Sequence, residues 1–201
     1  MLKITCNIWG QGLLEAIVGI SIITIGLGAV LSLAHSSISS HYEAETRVIA
    51  ANLAREAVEV VHNIRDSNWL SGNMWDSGLY SGVDCDGVPI LDYLNSNWEI
   101  NFSPDDISDE MGKVYQFISG SYINLFAQAE EMPALTKETL YKRFLTLKAI
   151  CYDGDEESIE NSAICSGGDE KIGIRITAEV KWTEHGRSHS LVVEDSIYNW
   201  R

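Results

Sequence analysis

Few residues of this 201-residue chain are spaced for chemistry, and the most telling is a carboxylate set in an apolar run. From Gly10 to Ala34 (GQGLLEAIVGISIITIGLGAVLSLA) Glu15 is the single formal charge. Leu13 to Ala34 is 22 residues. As a helix that length reaches roughly 33 Å, enough for a hydrocarbon layer of ~30 Å. A carboxylate within such a segment costs up to ~3 kcal/mol at mid-bilayer and less near an interface. It is tolerated by snorkelling to the headgroups, or by pairing with a cation in the low-dielectric layer.

The remaining candidates are weaker. Cys151 and Cys165 bracket a polar loop, YDGDEESIENSAI. A disulfide closing it would contribute about 3 kcal/mol by loop entropy. Free buried thiols, or a bond involving Cys85, are the alternatives. Asp153, Asp155, Glu156, Glu157 and Glu160 in that loop lack the EF-hand's third acidic ligand and following glycine, and Asp84 and Asp86 in DCDG are no better, so solvated acidic loops are expected. His185 and His189 (HGRSH) are an i, i+4 pair straddling a turn with no third ligand, so no metal is expected. No Ser/His/Asp arrangement, phosphate-cradling glycine loop or convincing carboxylate pair is present. The cysteines sit beside acids, which raise a thiol pKa. The expectation is no enzyme, no cofactor and no metal.

Composition narrows the partners. The net charge is −15 and the pI about 4.6. Setting aside Lys3 and Glu15 leaves 13 basic and 28 acidic residues, so the excess lies beyond the apolar run. Phosphate backbones require clustered Lys and Arg, and no direct nucleic-acid contact is expected. Lys3 ahead of the run and an acidic chain after it suggest an N-terminus inside and a C-terminus outside, a location permitting disulfides.

The elements that must position these residues follow from periodicity. After His35 no Gly or Pro occurs for over thirty residues. Ile49, Leu53, Ala57, Val60 and Ile64 step by four, four, three and four, one face of a helix. The spacing predicts one continuous helix from about Gly12 to Arg65, apolar all round in its first half and amphipathic in its second. Residues 71–89 read as a Gly/Ser/Asp-rich loop. Strands are expected at 98–102, 114–118, 143–152, 172–182 and 188–200, with EHGR (184–187) as a hairpin turn. Ile172, Ile174, Ile176, Ala178, Val180 and Trp182 share one face. Residues 127–142 are open between a short helix and an irregular insertion. Among the tryptophans, burial is expected for Trp98 and Trp182, while Trp69, Trp75 and Trp200 leave surface adhesion open. The resulting architecture is α+β: a long N-terminal helix against an antiparallel sheet, with the stretch to Ala34 in the membrane and 35–201 as a domain whose helix runs over 35–66 and whose 98–201 is mainly β.

At these residues the chain resembles a family. A short leader ending in Gly10, an apolar helix starting at once, and Glu15 five residues on look like a type IV prepilin signal. GQGLLEAIV with ANLAREAVEVVHNIRDSNWL, and the closing VKWTEHGRSHSLVVEDSIYNWR, are most similar to minor pilins of the type IV pilus modification (PilV-like) group. The resemblance covers about residues 8–70 and 170–201. It implies a pilin-like fold, cleavage after Gly10 by a prepilin peptidase, and methylation of the new N-terminus at Gln11. It sets 1–10 apart as a leader and 11–34 as the membrane half. Major pilins usually begin with Phe after cleavage, so Gln11 favours a minor subunit. Glu15 would neutralise the amine of a neighbouring subunit, relieving two costly buried charges at once. The implied partners are prepilin peptidase, other pilin subunits, a pilus or secretion assembly platform, and the cytoplasmic membrane before assembly into an extracellular filament. The implied localisation is single-pass in the inner membrane with the C-terminal domain outside. Two rivals remain: a secreted binding protein with a signal peptide cleaved after Ala34, and a single-pass anchored adhesin.

Overall fold

A computed structural model describes residues 11–92, 97–118, 123–128, 136–184 and 186–200. Gly10 and the leader, His185, and 129–135 of the open stretch 127–142 lie outside them. The chain divides into two compact units, one ending at Thr46 and the other spanning Arg47–Arg201.

Helix α1 runs from Gln11 to Ser71, past the expected end at Arg65. Gly72, with φ +74°, follows its last residue, the left-handed position where glycine carries no Cβ penalty. Among the described residues eight strands follow: β1 (Asp86–Asp92), β2 (Asn97–Asn101), β3 (Lys113–Phe117), β4 (Phe126–Ala127), β5 (Thr136–Tyr152), β6 (Glu157–Ile159), β7 (Glu170–Glu184) and β8 (Arg187–Tyr198). All recorded pairings are antiparallel, so the molecule is α+β as expected. β5 is the central strand. One of its edges carries β7, which in turn carries β8. It also pairs with β3 near its start, β1 at Leu145 and Thr146, and β6 at its end. Gly186, with φ +77°, makes the turn between β7 and β8, where a side chain would be strained.

In the second unit the main core lies between α1 and the strands. Ala50, Leu53, Ala54, Ala57, Val58 and Val61 pack with Leu145, Leu147, Ile174, Ile176, Ala178, Val180, Trp182 and Ile197. The buried helix face therefore centres on alanines. The expected line through Ile49, Leu53, Ala57, Val60 and Ile64 is rotated by roughly 70° from it, at 100° per residue. Of that line Leu53, Ala57 and Val60 are buried, whereas Ile49 and Ile64 are only partly buried at the flank of the core face. Small residues let a helix lie close to a sheet, and long side chains then fit at its sides.

Other sequence expectations are corrected too. The loop expected over 71–89 ends early, because DGVPILD forms β1. Gly87 is needed there: a Cβ would stand 2.7 Å from the Asn101 carbonyl. Residues 136–142, open between helix and irregular insertion, are the start of β5. Phe144 faces a second cluster with Val88 and Ile107 while Leu145 faces the main core, so β5 is covered on both sides at this point. Trp182 is buried as expected, but Trp98 is only half-buried and Trp75 is buried instead. The segment after α1 is pinned by Asp76, whose carboxylate meets Lys171 Nζ at 3.0 Å, with that ammonium also 4.5 Å from the Tyr80 ring centroid.

Candidate membrane and assembly segment

The first half of α1 is apolar because of its composition and exposed because nothing in its own unit covers it. Leu13 is 70 % exposed, Ile25 74 % and Leu33 74 %. The helix is long and apolar enough to cross a bilayer, with a mean hydropathy of 2.4 in its best stretch and none of that stretch buried. An exposed apolar surface of this extent marks contact with lipid or with other protein. Ser21 and Thr24 hydroxyls donate to the carbonyls of Ile17 and Ile20, at 2.7 and 2.6 Å, so neither presents an unsatisfied donor to an apolar medium.

Gln11 opens the helix and Glu15 is exposed in its second turn. Gly12, Gly19, Gly26 and Gly28 also lie in this half, and a Cβ on any of them would meet nothing within 4 Å. Glycine weakens a helix interior by about 1 kcal/mol relative to alanine. Packing among the described residues does not require these four.

In the second unit, Cys151 and Cys165 are joined by a disulfide with a Cα–Cα distance of 5.7 Å, and Cys85 is free. Burial pushes the Cys85 thiol pKa up, and the Asp86 carboxylate adds to this. In the acidic loop, Asp153 accepts from the backbone N–H groups of Asp155 and Glu156, which lowers its pKa. Among the described residues no group of three His, Cys, Asp or Glu side chains is placed to hold a metal ion. His189 instead stacks on Trp182, with ring centroids 5.3 Å apart.

A polar node that the sequence reading missed joins α1 to β5. Arg143 is fully buried, yet its Nη1 meets Glu56 Oε2 at 3.0 Å and lies 3.3 Å from the Leu53 carbonyl. Its Nε donates to Gln128 Oε1 at 2.8 Å. Gln128, also fully buried, in turn donates to the carbonyls of Gly112 and Arg143. Burial lowers the Arg143 pKa and the Glu56 carboxylate opposes that shift. A sequence signal did exist: in RFLTLKAICY, Arg143 is in phase with Leu145, Leu147 and Ala149, which point inward. Nearby, His62 Nε2 and Asp195 Oδ2 are 2.9 Å apart, linking α1 to β8. The Trp69 and Trp200 rings meet edge-on at 4.7 Å between centroids.

Comparison with family models, with curated proteins and with solved structures finds no match to this chain.

Proposed function

We propose that this chain is a minor pilin or pseudopilin: a structural subunit, processed by a prepilin peptidase and built into a type IV pilus or related filament. The observation that carries the reading is the lone Glu15 near the start of the exposed apolar half of α1, whose second half packs on the sheet. A lipid-spanning anchor alone has no use for a carboxylate there. A filament core built from such helices does, since Glu15 can meet the amine of a neighbouring Gln11 after cleavage at Gly10. Glycines that serve no contact within the chain fit the same role, because small residues let helices approach closely. A long apolar helix followed by an antiparallel sheet is compatible with the pilin fold.

Mass spectrometry of the mature N-terminus tests this. A chain beginning at a methylated Gln11, dependent on a prepilin peptidase, is the expected result. A start at His35 would identify a secreted protein released by an ordinary signal peptidase. An intact leader would identify a permanently anchored protein.

A further inference from the structure

We propose that Asn101, the last residue of β2, is a glycan acceptor whose Nδ2 takes an oligosaccharide from a lipid-diphosphate donor, transferred by a membrane-bound enzyme. Of the chain's asparagines it alone has Ser or Thr two residues on, in Asn101-Phe102-Ser103. That spacing is the acceptor pattern for N-linked glycans when the middle residue is not proline. Three matching letters alone carry little, and the placement of these residues carries the rest.

Among the described residues β2 pairs with β1 alone and closes the sheet on that side. From Trp98 to Pro104 the side chains divide into two alternating series. Trp98, Ile100 and Phe102 pack on the buried clusters, and Pro104 is buried behind them. Glu99 and Ser103 are exposed in the other series, and Asn101 lies between them, partly exposed. The backbone of Asn101 is fixed by its pairing with Val88 and by close packing on Gly87, where a Cβ would stand 2.7 Å from the Asn101 carbonyl. An inner series anchors the segment while the outer series presents the acceptor.

The outer series suits the chemistry. Asn101 Oδ1 accepts from the Ser103 backbone N–H at 2.8 Å, which ties the carboxamide to the residue whose hydroxyl a transferase must grip. The Ser103 hydroxyl makes no hydrogen bond among the described residues, so it can be bound without breaking a contact of the fold. Glu99, on the same face two residues ahead, offers a carboxylate for a basic group of the enzyme. In the transfer, Asn101 Nδ2 attacks the anomeric carbon of the first sugar. The bond from that carbon to the diphosphate oxygen breaks, and a carbon–nitrogen bond forms. The lipid diphosphate leaves with the electron pair, and the carboxamide gives one proton to a base of the transferase. The site rests on the reading that places residues 35–201 outside the membrane, where such a donor is used.

The test takes the full chain from the cells that make it and sequences the peptide spanning Asn101 by electron-transfer mass spectrometry. A saccharide mass on the Asn101 side chain is the expected result. Asn101→Gln and Ser103→Ala should lower the modified fraction at least tenfold, while Ser103→Thr, which keeps the hydroxyl, should retain it. An unmodified Asn101, a saccharide on Ser103 instead, or a Ser103→Thr chain that loses the glycan as Ser103→Ala does would overturn the proposal. Labelling the lysines of intact cells with a membrane-impermeant reagent separates the two readings. Labelled lysines beside a bare Asn101 would sink the acceptor site alone, and unlabelled lysines would sink the outside location with it.

Discussion

Arg143 and Glu56 meet at 3.0 Å between β5 and α1, the arginine fully buried and the glutamate at the rim. A buried guanidinium with one carboxylate partner makes removal of that partner costly. Removing one member of a buried pair destabilises by about 3–5 kcal/mol, whereas replacing both with apolar groups is often neutral. Because Glu56 is 30 % exposed, water softens the loss and the lower end is expected. In a fragment beginning at His35, Glu56→Gln should therefore lower the urea midpoint more than Arg143→Met does. Glu56→Leu combined with Arg143→Met should recover most of the loss. The opposite order of the two single variants would show that Arg143 matters for its packing and not for its charge.

The alanine-centred helix face gives a second expectation. Ala54 is fully buried against the sheet, so Ala54→Leu should overpack and cost about 1–3 kcal/mol. Leu53→Ala opens a cavity and should cost about 2–5 kcal/mol. Ile64→Ala, at the flank, should cost less than either. Urea midpoints compare the three directly, and an Ile64→Ala loss equal to that of Leu53→Ala would restore the face expected from the isoleucines.

That rotation illustrates what the sequence makes legible. The helix, β7 and β8 follow from long periodic stretches, in which Ile174, Ile176, Ala178, Val180 and Trp182 are all buried on one face. The helix's contact line was harder to see, because alanine contributes little to an apolar pattern yet permits the closest approach. The first part of β5 was hidden for a different reason. TKETLYK has the composition of a helix surface, and it is a strand because β3 and β7 pair with it. β1 carries Gly87 and Pro89, both turn signals, and becomes a strand through pairing with β2 and β5. Glu15 stood out by type alone, whereas the Arg143 node needed three segments brought together from Glu56, Gln128 and Arg143 itself.

The disulfide closes a separation of 14 residues. A loop of about that size stabilises by about 3 kcal/mol on the chain-entropy account, so replacing Cys151 and Cys165 together by Ser should lower stability by that order. A non-reducing peptide map should show the two linked. In a fragment beginning at His35, which lacks Cys6, Cys85 should be the thiol that alkylates under denaturing, non-reducing conditions, and finding Cys151 and Cys165 alkylated alongside it would remove the bridge.

Glu15 offers the sharpest functional contrast. Glu15→Ala removes an exposed side chain that no part of its own unit covers, so the mutant should fold and insert as the parent does. On the proposed filament role, its amount in sheared filaments should fall to background, because a neighbouring amine would lose its counter-charge. Normal incorporation of the mutant subunit would mean that Glu15 merely sits at the headgroups.

The link between His62 and Asp195 should be visible in the acid limb of stability. The hydrogen bond from His62 holds the Asp195 carboxyl below its ordinary value, with the backbone N–H of Ser196 and the Arg65 charge acting in the same direction. A carboxyl whose folded pKa is depressed contributes stability that is fully present above its unfolded value, near ~3.9. That contribution is lost as the pH falls through the depressed folded value. Because the Asp195 side chain is 47 % exposed, solvent screening limits the effect. A pair of this kind is worth about 0–1 kcal/mol. Wild type should therefore exceed Asp195→Asn in urea midpoint at pH 7, and the gap should narrow as the pH is lowered through 4 toward 2. High salt should shrink the same gap at pH 7, since the interaction is partly exposed. A gap that stays constant with pH would mean that the Asp195→Asn variant loses packing and not charge.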